Sequence, residues 1–368
     1  MVAGVALVHD YFVQDGGAER VALELARLFP DAPVFTSFYD ANVFGDRLDP
    51  ARVRTWPLQG RVDPGHFRSL LPVYPAWFSA LDLRGFELVV SSSSAFAKAA
   101  RTSRRAHHVA YIHTPMRFAW QFGDYARGAS MAAPARFAGR LISGPLRAWD
   151  RRTSQSADLL VANSRTVRAR INRSWGRDAE VIHPPVDIDE FKIGDSDAGY
   201  LLVAARLLAY RRIDLAIDAA NISGRDLIVV GDGPERAALE GRAGATVRFE
   251  GHVPRSRLVE LVESCHAYLV PGEEDFGIAP VEAMAAGKPV VALARGGAAE
   301  TVVDGETGVL FDAQTPEALA AALQQLERST WPTERIRARA AEFSRNRFIA
   351  SWQALLERLA INRDLYVS

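Results

Sequence analysis

Only one cysteine, Cys265, occurs in 368 residues, which excludes a disulfide within the chain and suits a reducing compartment. No apolar run approaches the roughly 18 residues of a membrane span. The apolar opening VAGVALV has no basic leader and soon reaches His9 and Asp10, so a cytoplasmic protein without a signal peptide is expected. Net charge is also missing: 44 basic residues balance 44 acidic ones, which argues against nucleic acid as a partner. With 48% apolar and 24% charged residues, disorder is not indicated.

Acids are scarce in one region. From Arg101 to Arg177 there are fifteen arginines, no lysine and three acids, Asp124, Asp150 and Asp158. Inside it, residues 132–156 interleave Phe137, Leu141, Ile142, Leu146 and Trp149 with Arg136, Arg140, Arg147, Arg151 and Arg152. Such a segment either lies on an anionic membrane surface or turns its apolar stripe into a core, and Gly144-Pro145 is expected to interrupt a continuous helix. Peripheral contact at the inner face of the cell membrane, through segment 101–177, is one reading of this bias.

The length suggests two domains. Short apolar runs at Val5–His9, Val34–Phe38, Phe86–Ser91, Val109–His113 and Leu159–Ala162 alternate with helix-compatible segments, which argues for a parallel sheet covered by helices. Ser91–Ser94 mark a strand end. Gly16-Gly17 lies between the first strand and a helix over Ala18–Leu28, where glycine lets backbone amides meet a ligand. His113 stands at another strand end, followed by Pro115. A second α/β series begins at Tyr200–Ala204 and continues through Leu227–Val230, Val247–Phe249 and Ala267–Val270. Phe343–Ile361 carries Phe348, Trp352, Leu355 and Leu359 at helical spacing.

The densest pattern is Leu269–Leu310, LVPGEEDFGIAPVEAMAAGKPVVALARGGAAETVVDGETGVL. A strand enters a loop holding Glu274 and Gly277, then a helix starting near Ile278 that places Glu282 one turn inside. Two acids beside a helix start can simply stabilise its dipole. Here they are also suited to sugar hydroxyls, since an ionised carboxylate accepts both bonds of a vicinal diol, while helix-start amides suit a diphosphate. Together these features describe a nucleotide-sugar site.

The stretch resembles the retaining GT-B glycosyltransferases of the glycosyltransferase 4 family, through Glu274, Phe276, Gly277, Pro280, Glu282, Ala283, Gly287, Pro289, Gly296, Gly297 and Glu300. Gly16-Gly17-Ala18-Glu19-Arg20 is similar to the family's GG-x-x-R element, and Arg206 with Arg211 to its diphosphate-binding Arg and Lys. Arginine at 211 departs from the family's lysine; it keeps the charge but presents a planar fork. The resemblance implies two Rossmann-like domains facing each other across a cleft. The acceptor domain would be 1–185, with 347–368 packing back on it, and the donor domain 186–346. It further implies that Arg206 and Arg211 neutralise the leaving diphosphate, Glu274 and the amides of Phe276, Gly277 and Ile278 hold the hexose, and Glu282 holds the ribose. Gly251, His252 and Val253 would lie against the base, Gly16 and Gly17 against the donor, and His113 near the transferred sugar.

No resident cofactor and no metal are expected. Asp187 and Asp189 form a D-x-D, but Asp187 belongs to a V-D-x-x-x-F pattern ending at Phe191, with no octahedral oxygen set nearby. The opening LVHDYF, with GGAER and EEDFGIAP, resembles the bacterial mannosyltransferases that build surface polysaccharides, which implies GDP-mannose as donor and a glycan or polyprenyl-linked glycan as acceptor. A UDP-sugar enzyme, a GT-B nucleotide-sugar epimerase and a membrane-associated scaffold without activity are the alternatives.

Overall fold

The computed structural model of the chain describes residues 4–61, 70, 72–123, 133–193 and 197–361. Seven strands form the first sheet: β1 (Val5–His9), β2 (Val34–Thr36), β3 (Val53–Thr55), β4 (Leu88–Ser93), β5 (His107–Ile112), β6 (Leu159–Ala162) and β7 (Glu180–Val181). Their order is β3-β2-β1-β4-β5-β6-β7. The second sheet has six, β8 (Leu201–Ala204), β9 (Leu227–Val230), β10 (Val247–Gly251), β11 (Ala267–Val270), β12 (Val290–Leu293) and β13 (Gly308–Phe311), in the order β10-β9-β8-β11-β12-β13. Neighbours pair in parallel throughout, as helical crossovers between strands require. These are the two Rossmann-like domains of the GT-B class.

The chain gathers into two compact units. One comprises residues up to Gln121, Arg140–Pro185 and those from Phe348 onward; the other comprises Phe122–Gly139 and Val186–Arg347. In the first unit, Phe348, Trp352, Leu355 and Leu356 of the last helix, Arg345–Arg358, share a core with Val5, Leu7 and Tyr111. The four-three-four spacing of the C-terminal segment is thus the face it buries, and each such side chain contributes about 1.5–3 kcal/mol. Residues 362–368, expected to pack there too, lie outside the described residues.

Ser91, Ser92 and Ser93 are the last residues of β4, all buried, and the strand ends among the serines as expected. Ser91 Oγ is 2.9 Å from His108 Nε2 and Ser92 Oγ 2.8 Å from His113 Nε2, so long-range partners satisfy these hydroxyls inside the sheet. One local expectation fails: Gly144-Pro145 does not interrupt its helix, which runs without a break over Ala133–Ser154 with Pro145 inside. Leu146 and Trp149 pack on the first unit's core, whereas Phe137, Leu141 and Ile142 are exposed. The apolar stripe therefore divides into a packed half and an open half.

Candidate active site

In an open α/β sheet, ligands bind beyond the carboxyl ends of the strands where the strand order reverses. In the second unit that reversal lies between β8 and β11, and the loops that leave these two strands hold most of the expected donor residues. Arg206 is exposed just after β8, and Arg211 ends the 3-10 turn Ala209–Arg211. The next residue, Arg212, takes a left-handed conformation (φ 53°) and is anchored by Asp214 at 3.1 Å. The Arg211 guanidinium pairs with Glu274 from the β11 loop and lies 5.2 Å from the centre of the Tyr210 ring. A Cβ on Gly272 would come within 2.6 Å of the Tyr210 and Arg211 carbonyl oxygens, so glycine there is what lets the two loops touch. Their side chains are 25% and 17% exposed, within reach of a ligand.

The Glu274 loop is backed from behind. Glu274 bridges Gly296, and the Gly297 amide donates to the Glu274 carbonyl at 2.9 Å. A Cβ on either glycine would strike residues 273–276, which explains the GG of the motif as loop packing. Gly277, at φ 88°, then turns the chain into the helix Ile278–Ala285. Glu282, only 4% exposed, accepts from Arg255 Nη2 at 2.7 Å. Arg255 in turn places Nε 2.8 Å from Glu190. The two acids of the motif are therefore held by two different arginines. Phe276 is buried against Phe343, with ring centres 5.5 Å apart, leaving its backbone to meet a ligand. Gly251 closes β10 with its carbonyl bonded to the Gly231 amide at 2.7 Å; His252 is exposed and Val253 partly buried.

In the first unit the order reverses between β1 and β4, and buried polar groups collect there. Ser92 Oγ joins His113 to His9, whose Nδ1 lies 3.0 Å from the Ser92 carbonyl and 3.1 Å from its hydroxyl. Burial lowers the His9 pKa, against the pull of Asp10. The Asp10 carboxylate accepts from the amides of Ser94, Ala95, Phe96 and Ala97 at 2.6–2.9 Å. Gly16 precedes the helix Gly17–Leu28, and Glu19 of its first turn is buried. Burial, with Asp15 and Asp10 adding to it, pushes the Glu19 carboxyl up to about 8, so at pH 7 the glycine turn has an uncharged acid beside it. Arg255, Glu190, Ser92 and Glu19 were missed in the sequence reading, and for His9 and Asp10 the strand-end position was the available signal.

Two family descriptions match adjoining parts of the chain: "Glycosyltransferase Family 4" over residues 15–190 and "Glycosyl transferases group 1" over residues 187–347. Together they span residues 15–347, so the chain resembles glycosyltransferases of family 4 and group 1 over both units. Among curated relatives, the D-inositol 3-phosphate glycosyltransferase of Frankia alni is 26% identical over 362 residues, covering 85% of this chain and 86% of that protein. That of Nocardioides sp. is 28% identical over 239 residues, 54% of this chain, and there the chain spans about half the relative's length, 52%. Among solved structures, HepE of Anabaena in complex with UDP-glucose superposes with a TM-score of 0.68 at 20% identity, covering 96% of this chain and all of that one.

Part of the basic segment is spent on structure. Arg147 donates to the Ala119 carbonyl at 2.7 Å, Arg151 to that of Ser174 at 3.1 Å and Arg177 to that of Ala157 at 2.7 Å. Asp150 is sealed beneath them, paired with Lys98 at 2.6 Å and accepting from Trp120 and Trp175 at 2.7 and 2.8 Å. Residues 124–132 and the Arg136 side chain lie outside the described residues. Asp187 and Asp189 are exposed, and among the described residues no group of three or more His, Cys, Asp or Glu is arranged to hold a metal. No helix among the described residues is long and apolar enough to cross a membrane.

Proposed function

We propose that this protein transfers a hexose, with retention, from a nucleoside-diphosphate sugar to a glycan acceptor. The observation that carries the reading is the meeting of Arg211 and Glu274 where the strand order of the second sheet reverses, with Arg206 exposed just after β8. Arg206 and Arg211 meet the diphosphate and stabilise the charge that develops as the glycosidic bond breaks. Glu274 and the amides of residues 276–278 hold the hexose, Glu282 holds the ribose, and residues 251–253 lie against the base. In the first unit, His113 at a strand end and the Gly16-Gly17 turn are proposed to contact a sugar. The arginines supply positive charge at the leaving group, and the reaction is proposed to run without a metal.

For the donor, the mannosyltransferase-like opening favours GDP-mannose. A UDP-hexose is the second reading, favoured by the fold shared with the UDP-glucose complex of HepE. A thermal-shift panel of GDP, UDP and their sugars, with and without EDTA, decides between them, because a ligand that binds only the folded state raises its melting temperature. GDP-mannose stabilisation that survives EDTA and vanishes in Glu282→Ala supports the first; a response to UDP alone supports the second; no response to either overturns the site. The anomeric configuration of the product, read by NMR, tests retention.

A lipid-linked acceptor at an anionic membrane fits the exposed Phe137, Leu141 and Ile142 beside the exposed Arg140. Sedimentation with phosphatidylglycerol vesicles but not with phosphatidylcholine vesicles, lost in Phe137→Ser/Leu141→Ser, is the expected result; no sedimentation removes the membrane from the reading.

A further inference from the structure

Glu282 sits almost sealed in the protein, and a buried carboxylate needs a charged or hydrogen-bonding partner. Arg255, at the start of the helix Arg255–Ser264, is that partner, with Nη2 2.7 Å from Glu282 Oε1. The guanidinium is itself fixed. Glu190 takes its Nε and Nη2 on two carboxylate oxygens, a fork geometry that sets direction as well as charge. The ring of Phe191 lies beneath it, 5.2 Å from its centre. Burial works against the charge of Arg255, but Glu190 and Glu282 more than offset this and hold its pKa above the usual arginine value. Three separate stretches, 188–191, the start of one helix and the second turn of another, thus converge on one carboxylate.

We propose that Arg255, clamped by Glu190, is the positioning residue that presents Glu282 to the ribose of the donor, and so sets the preference for a ribonucleotide over a 2′-deoxyribonucleotide. The proposal rests on Glu282 as the ribose-holding group. An ionised carboxylate has about four acceptor sites, so it can take several donors at once. A carboxylate held in a single rotamer receives both hydroxyls of the diol; a loose one loses orientation first, and with it the penalty for a missing hydroxyl. Lysine cannot replace Arg255, because an ammonium is a point charge without the planar fork that Glu190 grips.

Calorimetric titration of UDP, 2′-deoxy-UDP, GDP and 2′-deoxy-GDP into wild type, Arg255→Met, Arg255→Lys, Glu190→Gln and Glu282→Gln tests this. For whichever base binds, wild type is expected to prefer the ribose form by about tenfold, the worth of one charged hydrogen bond. Arg255→Met, Arg255→Lys and Glu190→Gln should narrow that ratio to about two- to threefold, with KM for the donor rising more than kcat falls. A merely structural arginine would weaken both nucleotides equally and leave the ratio intact; that result in Arg255→Met overturns the proposal. Should Arg255→Met fail to fold, Glu190→Gln decides in the same way, since it keeps the arginine and removes its clamp. If wild type shows no preference, or Glu282→Gln keeps it in full, the ribose assignment of Glu282 falls; if Glu282→Gln loses it and Arg255→Met does not, only the positioning role falls.

Discussion

Asp10 in the first unit and Glu282 in the second are both nearly sealed carboxylates, 2% and 4% exposed, yet they are held by different kinds of group. Four backbone amides surround Asp10, whereas a side chain, Arg255, answers Glu282. The same division recurs in the ion pairs. Lys98 and Asp150 are closed off from solvent inside the first unit, while Arg211 and Glu274 stay partly open in the second. A carboxylate held by peptide groups can change partner only if its loop rearranges, so the Asp10 carboxylate is scaffold. An arginine–glutamate pair within reach of solvent can be exchanged for a phosphate or a sugar hydroxyl. The second unit keeps the Arg211–Glu274 pair where a ligand can take it.

Breaking the sealed pair gives the largest expected effect. Lys98→Met leaves Asp150 buried beside two indoles without its cation and should cost about 3–5 kcal/mol in urea unfolding, with Lys98→Met/Asp150→Asn recovering most of it. If the single variant matches wild type, the first unit's ion pair is no scaffold. Next comes the acid limb of stability. Burial pushes His108 down to about 4 from an ordinary 6.5, so the folded protein keeps it neutral while the unfolded chain takes up a proton below about 6.5. Stability should fall as pH drops from 6.5 to 4, by up to about 3 kcal/mol from this group. Melting temperature measured over that range should show a shallower decline for His108→Gln. The smallest effect sharpens the contrast from the other side. Glu274→Gln frees Arg211 for the diphosphate, so affinity for the bare nucleoside diphosphate should rise about three- to tenfold while hexose transfer falls. Unchanged or weaker nucleotide binding would mean that the Arg211–Glu274 pair is as fixed as the sealed one.

Elements with a local cause were legible in the chain. β1, β6, β9 and β11 fall at Val5–His9, Leu159–Ala162, Leu227–Val230 and Ala267–Val270, where the apolar runs placed them, because a parallel strand buried on both faces is a short unbroken apolar stretch. The helix at Ile278 starts where expected because Gly277 supplies the positive φ that turns the loop into it. Pro145 misled, since a proline carries a breaking propensity that a packed helix face overrides.

From its sequence alone, this protein's two parallel α/β series and the strand, loop and helix start around Glu274 and Glu282 were determined. These rest on periodicity, on glycines needed at particular turns and on short spacings along one chain segment. Only the tertiary structure decided which arginine holds which glutamate, that Glu190 grips Arg255 from 65 residues away, and that Ser92 joins His9 to His113. Such partnerships are set by where strands end in space, and neither charge nor hydrogen-bonding capacity shows, one residue at a time, which distant group will meet it.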